Sequence, residues 1–473
     1  MRIEHDSLGN REIEEQFYHG IQTLRAKENF SISSTTICDI DGFISSIATI
    51  KKAAALANQR IGALGTKECQ AICQAVDEVL QHPDPQEFPL DIYQGGGGTP
   101  TNMNVNEVLA NRANEILTGK KGYSAVHPNT HVNMGQSTND VIPAAMKMTV
   151  YGGLGRLQQV LSQFSDDLQL KENEFSDIVK LGRTCLQDAL PITLGQQFSG
   201  YRSAFERMVK EVAEVRKLCL ELPLSATAVG TEFGTFPGYK SEIYKALQDL
   251  TGLPYKAENN FFDGLQNADL WIKISAVIKA TALNLNKLAS DLRIMSSGPR
   301  AGLSEIELPA VQPGSSIMPG KINPVIPEMA MQVYFRVMGN DVAITRACEG
   351  ELDLNVWELL ILNCVMESCE LLIGCLPLMS TKCIQGIVAN HDKCRSDAEN
   401  SLALSTVIAI LFDYETASRL AKQAAQENKN IKQVAVESGL LTADEAESYL
   451  DPLMMSSPEK FNLLFNTKRE LIK

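Results

Sequence analysis

Apolar positions along this chain recur mostly every third or fourth residue, the spacing of one face of an α-helix. Between Asp269 and Met295 the residues Ile274, Val277, Ile278, Thr281, Leu285, Leu288, Leu292 and Met295 advance in this way, which predicts a bundle helix. Similar stretches run from about Val141 to Lys171, from Thr193 to Leu220 and from Pro327 to Ile373. Alternating runs of period two are scarce, and no strand-helix-strand unit stands out. The pattern therefore predicts an all-α protein built on a long-helix bundle. A bundle helix of about thirty residues spans about 45 Å, and covering so long an apolar surface favours assembly between subunits.

Three polar segments interrupt the periodicity: Gly95 to Asn106, Asn129 to Asp140 and Gly314 to Pro324. A fourth, "GRTCLQD", sits just before a helical run. Beyond Asn400, "YETASRLAKQAAQENK" and "LTADEAESYL" read as short charged helices of a small appended domain.

Composition narrows the partners. The 473 residues carry 43 Lys and Arg against 57 Asp and Glu, a formal charge of −14. Such a balance argues against nucleic acid or an anionic membrane as partner, because both require a positive surface field. The N-terminal "MRIEHDSLGNREIEE" has no apolar core of a secretory signal. The best membrane candidate, "VWELLILNCVMESCELLIGCLPLM", contains Glu358, Glu367 and Glu370, which point to a buried bundle helix. Eleven scattered cysteines without a CxxC pair read as reduced thiols of a cytoplasmic protein.

The polar segments hold the candidate chemistry. "GGGGTPTNMNVNE" lacks the Gly-Lys-Ser/Thr of a phosphate loop, and so does the segment at Gly314, which removes nucleotide binding. What remains at Thr99 is a loop whose backbone can approach a ligand closely, or an ordinary helix cap. Ser137, Thr138 and Asn139 precede an apolar run, and three cap-competent residues are more than one cap requires. The free amides of a first helical turn suit a carboxylate. In "GRTCLQDALP", Thr184 can donate to an anion, Arg183 is expected to pair with Asp188, and Cys185 has no nearby histidine or lysine to make a thiolate. The six histidines form no metal-ligand pattern. "GSSIMPGKINP" offers Ser315, Ser316, Lys321 and Asn323 as donors between stiffening prolines, the chemistry of a lid closing on an anion, with Ile317 and Met318 expected to need burial.

Six stretches in order, including "YQGGGGTPTNMNVNEVLANRANE", "HPNTHVNMGQSTND", "GRTCLQDALPITLGQQF" and "SSGPRAGLSEIELPAVQPGSSIMPGKINPVIPE", resemble the fumarase/aspartase superfamily over essentially the whole chain, most closely its ammonia-lyase branch. The resemblance implies a three-domain all-α fold, with an N-terminal helical domain at 1–137, a central bundle at 138–396 and a small C-terminal domain at 397–473. It also implies a homotetramer whose active sites take residues from three subunits, and a small dicarboxylate substrate; no cofactor or metal is expected, since no ligand set is visible in the sequence. By similarity Ser315 is the catalytic base, acting as an alkoxide on the Cβ proton of an amino dicarboxylate. Thr99, Ser137, Thr138, Asn139, Thr184, Lys321 and Asn323 would bind substrate. Departures from the family pattern occur at Cys185, where fumarases have His, and at Glu232 and Gly234 in "TAVGTEFGT", where Gly and Asn are usual. Leu359 and Met331 depart as well, from Pro and Asn. Cys185 and Glu232 are thus candidates for tuning the substrate. A fumarase, a carbon-nitrogen lyase for a modified aspartate and a catalytically silent homologue remain as alternatives.

Overall fold

The computed structural model describes residues 1–471, and 62% of the chain is helical. A hairpin of β1 (Arg2–Asp6) and β2 (Gly9–Ile13) leads into α1 (Ile21–Asn29), α2 (Phe43–Arg60), α3 (Thr66–Gln81) and α4 (Thr99–Thr118). After a short π-helical turn, Pro128–Val132, comes α5 (Thr138–Glu174), then the hairpin of β3 (Val179–Thr184) and β4 (Gln187–Thr193), and α6 (Leu194–Leu218). Next are α7 (Tyr239–Thr251), α8 (Phe261–Gln266), α9 (Asp269–Met295), α10 (Val325–Ala347) and α11 (Glu358–Lys382). The chain closes with α12 (His391–Asn400), α13 (Ser405–Leu411), α14 (Tyr414–Glu427), α15 (Ile431–Glu437), α16 (Ala443–Tyr449) and α17 (Pro458–Leu471).

By contact density the chain forms two units, one of residues 1–159, 210–280 and 335–373, the other of 160–209, 281–334 and 374–473. Each long helix, α5, α6, α9, α10 and α11, gives one part to each unit. The stripe expected on α9 is where the apolar burial lies: Ile274, Ile278, Leu285, Leu288, Leu292 and Met295 are all buried, and Val277 is half-buried. Thr193 starts α6 with a reciprocal cap, its hydroxyl accepting the Gln196 amide while the Gln196 side chain accepts the Thr193 amide. In the second unit α13 to α16 gather around Leu404, Ile408, Leu420, Ile431, Val434 and Leu450, a separate apolar cluster.

Two expectations are corrected, and the segment before the helical run takes a definite form. The stretch from Pro327 to Ile373 is two helices, because the backbone turns left-handed at Gly350 (φ 61°) and Leu352 (φ 49°). Asn355 then caps the break, donating to Ala347 O at 3.0 Å and accepting the Trp357 amide at 2.9 Å. "GRTCLQD" is the end of a β-hairpin, with Cys185 (φ 53°) and Leu186 (φ 58°) forming the two-residue turn whose twist matches its strands. Arg183 pairs with the buried Glu305 and, at 3.7 Å, with Asp397, although Asp188 lies opposite it in the hairpin register.

The apolar run that resembled a membrane span is a core helix here. Of its most hydrophobic window, 61% is buried inside the protein, while Glu367 pairs with Arg336 and Glu370 with Arg156.

Candidate active site

In the first unit, the polar segments converge on the start of α5. Gly98 (φ 78°) begins α4, and a Cβ there would come within 3.0 Å of Ile142 in the first turns of α5, so the glycine lets the two helix starts meet. Thr101 donates its amide and hydroxyl to the Gln94 side chain, which closes the glycine loop. The asparagines that follow are structural ties. Asn104 donates to Glu87 O, Asn106 to the Asn133 side chain, Asn111 to Tyr18 O and Asn114 to Val126 O, each side chain buried. Thr99 is left exposed, at the edge of a cleft of about 1180 Å³ that His127 and Asn129 also line.

The start of α5 is tied down from several directions. Ser137 donates its amide to Asp140 Oδ1 at 3.0 Å, and its hydroxyl accepts the Asn139 amide at 3.2 Å. The Thr138 hydroxyl accepts from Asn102 Nδ2, and Asn139 Nδ2 donates to Ala228 O at 2.7 Å. Asp140 Oδ2 accepts the Thr227 amide at 2.9 Å. Ser137, Thr138 and Asn139 therefore share one anchored turn.

Beneath it lies Lys51, fully buried on α2, which sequence reading passed over. Its Nζ donates to Asn102 Oδ1 (2.7 Å), Asn133 Oδ1 (2.9 Å) and Gln136 Oε1 (2.9 Å), three acceptors for the three hydrogens of an ammonium. Burial pulls Lys51 down to about 7 and pushes Asp140 up to about 7, while each charge favours the other. A signal existed: Lys51 follows Ile44 and Ile47 by seven and four residues, on the buried stripe of "FISSIATIKKAAALAN".

The segment after α6 completes this region with strained backbone. Ser225 (φ 81°), Thr227 (φ 59°) and Glu232 (φ 58°) are all left-handed without being glycine, a costly conformation that the surroundings must enforce. Glu232 is paired with Lys240 at 2.7 Å and accepts weakly from the Ser225 hydroxyl at 3.4 Å. A carboxylate so paired presents much less negative charge to an anionic ligand than its sequence position suggested.

In the second unit two elements hold the remaining candidates. Thr184 and Cys185 are exposed at the β3–β4 turn, whose base is fixed where Lys180 and Arg183 both grip the buried Glu305. Residues 314–324 form a compact loop. Gly314 N donates to Lys321 O at 2.9 Å, and Asn323 Nδ2 donates to Gly314 O at 2.8 Å. Ser315 Oγ accepts two loop amides, from Met318 at 3.0 Å and Ile317 at 3.3 Å. Gly314 has no substitute, since a Cβ there would sit 2.4 Å from Lys321 O and 2.7 Å from Asn323 N. Contrary to expectation, Ile317 is 83% and Met318 49% exposed: the loop folds through its own backbone bonds and leaves these side chains outside. After it, Met331 accepts from Arg293 at 3.2 Å, with Glu328 also near that guanidinium.

Known proteins share this arrangement of segments. A family model described as Lyase matches residues 9–339, and one described as Fumarase C C-terminus matches residues 406–457. The chain belongs to the lyase family. The aspartate ammonia-lyase of Helicobacter pylori is 43% identical over 98% of this chain and 99% of its own length. Among solved structures, the fumarate lyase:delta crystallin of Brucella melitensis bound to cobalt superposes with a TM-score of 0.94 at 41% identity, covering 97% of this chain and all of its own. The class II fumarase of Schistosoma mansoni superposes with a TM-score of 0.92 at 35% identity, over 97% of this chain and 99% of its own. These likenesses run through both the bundle and the segments described above. Among the described residues, no group of three or more His, Cys, Asp or Glu is arranged to hold a metal ion.

Proposed function

We propose that this lyase catalyses the reversible anti elimination of ammonia from L-aspartate to give fumarate. The observation that carries the reading is the pair of amides on Ser315 Oγ, which point at the atom that must bear negative charge if serine is to act as a base. A hydroxyl is far too weak an acid to ionise unaided near neutrality. Amide donors and the cation of Lys321 in the same loop favour its alkoxide. That alkoxide takes the Cβ proton, the electron pair moves onto the adjacent carboxylate as an aci-carboxylate, and its return forms the double bond as ammonia leaves Cα.

The doubly charged intermediate needs donors on both carboxylates. In this reading they are Thr99, Ser137, Thr138 and Asn139 from the anchored start of α5, Thr184 from the hairpin, and Lys321 and Asn323 from the loop. They come together in a homotetramer, each site drawing on three copies. The exposed apolar side of α10 supports assembly: Met338 and Val342 are 37% and 61% exposed, while Val333, Val337 and Ile344 fill its other face. A helix apolar on both sides is ordinarily covered on both. The near full-length likeness to the Helicobacter pylori aspartate ammonia-lyase supports the substrate. Cys185, where fumarases carry His, speaks for elimination of ammonia over hydration. A cytoplasmic location belongs to the same reading and fits eleven free cysteines.

The test is spectrophotometric. Fumarate absorbance is expected to rise with L-aspartate and to fall when fumarate is mixed with ammonia, with no turnover of L-malate. Activity confined to L-malate would make the protein a fumarase, and silence with all three would overturn the reading.

A further inference from the structure

Lys51 hydrogen-bonds to none of the residues proposed to hold substrate, yet it dictates which way their hydrogen bonds run. An ammonium has three donors and no acceptor, so each side-chain amide that meets it must turn its oxygen inward and its nitrogen away. Asn102, Asn133 and Gln136 all do so. Gln136 Nε2 then donates to Val132 O at 3.0 Å and Met134 O at 3.2 Å, and Asn133 Nδ2 donates to Gln136 O at 3.2 Å. These two nitrogens end on backbone carbonyls. Asn102 differs, because its Nδ2 reaches two side chains: Asn133 Oδ1 at 3.2 Å and the Thr138 hydroxyl at 3.1 Å.

The consequence falls on Thr138. A threonine hydroxyl can donate or accept, and what it offers a ligand depends on its other partner. With Asn102 Nδ2 against it, the oxygen is engaged as an acceptor and the proton is left for something else. Asp140, two residues on, is engaged by the amides of Ser137 and Thr227. Among the described residues Thr138 makes no other side-chain hydrogen bond. Were the Asn102 amide turned over, its oxygen would take that proton, and Thr138 would show lone pairs to an anion. Lys51 is fully buried and Asn102 is 1% exposed, so solvent does not compete for these contacts.

We propose that Lys51 is a positioning residue of the dicarboxylate site: by fixing the Asn102 amide it commits the Thr138 hydroxyl to donating, and so to gripping a substrate carboxylate. This rests on the proposed role of Thr138 as a substrate ligand. A charged donor holds the direction of the chain better than a neutral one, since charge-assisted hydrogen bonds are roughly twice as strong. The start of α5 thereby gains a donor already aligned when the anion arrives, which costs no reorganisation.

Calorimetric binding of succinate, a dicarboxylate with no amino group to lose, tests this on the full-length protein. Thr138→Val should weaken binding by about 10- to 100-fold, the range for a hydrogen bond to a charged group, and Thr138→Ser should restore most of it. Asn102→Asp has nearly the same shape and still offers Lys51 an acceptor, but it sets a second acceptor against the Thr138 hydroxyl and turns that proton inward. It should weaken succinate binding by a similar factor. Combined with Thr138→Val, it should bind within about threefold of either single variant, because both remove the same donor. Lys51→Met should be non-additive with Thr138→Val in the same way, and where that variant folds poorly Asn102→Asp decides. Losses that multiply in the double variant would mean that the added charge acts on the anion directly, and would overturn the proposal. So would unchanged affinity in Asn102→Asp or Thr138→Val, or a parent protein that binds no succinate. A parent that binds succinate but forms no fumarate from L-aspartate would sink the proposed reaction and leave the role of Lys51 standing.

Discussion

The start of α5 and the loop at 314–324 both carry candidate substrate ligands, yet they are built by opposite means. The first is embedded: a fully buried lysine beneath it holds Asn102, Asn133 and Gln136, and Asp140 and Asn139 tie it to the strained segment at 227–228. The second stands mainly on its own backbone: Ser315 and Gly314 bond within the loop, Asn323 bonds to Gly314 and to the adjacent Val325, and the apolar side chains stay outside. A carboxylate site gains from pre-organisation, since donors already in position lose little freedom when the ligand arrives. A segment carrying the base must also let substrate in, and the weak outer ties of this loop suit that task. Stability and chemistry should therefore separate between the two regions.

The largest effect is expected at the loop. Ser315→Ala should lower turnover by at least about 10²–10³, the loss typical for one oxyanion donor, while Tm stays within about 1 °C of the parent because the side chain supports no core. Steady-state rates and calorimetry on one preparation check both halves. A matching fall in Tm would erase the contrast.

Lys51→Met should do the reverse, destabilising the first unit by about 3–5 kcal/mol as three buried acceptors lose their cation. Denaturant unfolding measures this, and the surviving folded enzyme should show a raised KM. Gly314→Ala should slow turnover by about 10- to 100-fold with little change in unfolding, since the new Cβ meets Lys321 O and Asn323 N inside the loop alone. Ser137→Ala should cost about 1 kcal/mol of stability, as for other lost N-caps, and weaken binding of substrate more than it lowers kcat.

The smallest effect is a pH slope. Burial pushes Glu107 up to about 7, outweighing hydrogen bonds from the Gln22 and Thr23 amides and the Thr23 hydroxyl. A carboxyl raised on folding contributes stability that is complete below its unfolded pKa of 4.5 and is lost as pH rises through about 7. Asp140 acts with the same sign. Tm should thus drift down between about pH 5 and 8 through these groups, and Glu107→Gln should flatten part of the drift. Scanning calorimetry across that range reads it.

What the sequence determined by itself was whatever depends on neighbours in the chain. Helical periodicity marked the α9 stripe, and the order of polar segments carried the family. The chemistry of "GSSIMPGKINP" was legible for the same reason, since its loop closes by bonds between Gly314, Lys321 and Asn323, all inside that segment. Tertiary structure alone decided the rest. Only packing could reveal that Lys51 lies beneath the start of α5, that Arg183 prefers Glu305 to the nearby Asp188, and that Glu232 is paired by Lys240. A charge takes its strength and its protonation from burial and from groups remote in sequence, and no local pattern records either.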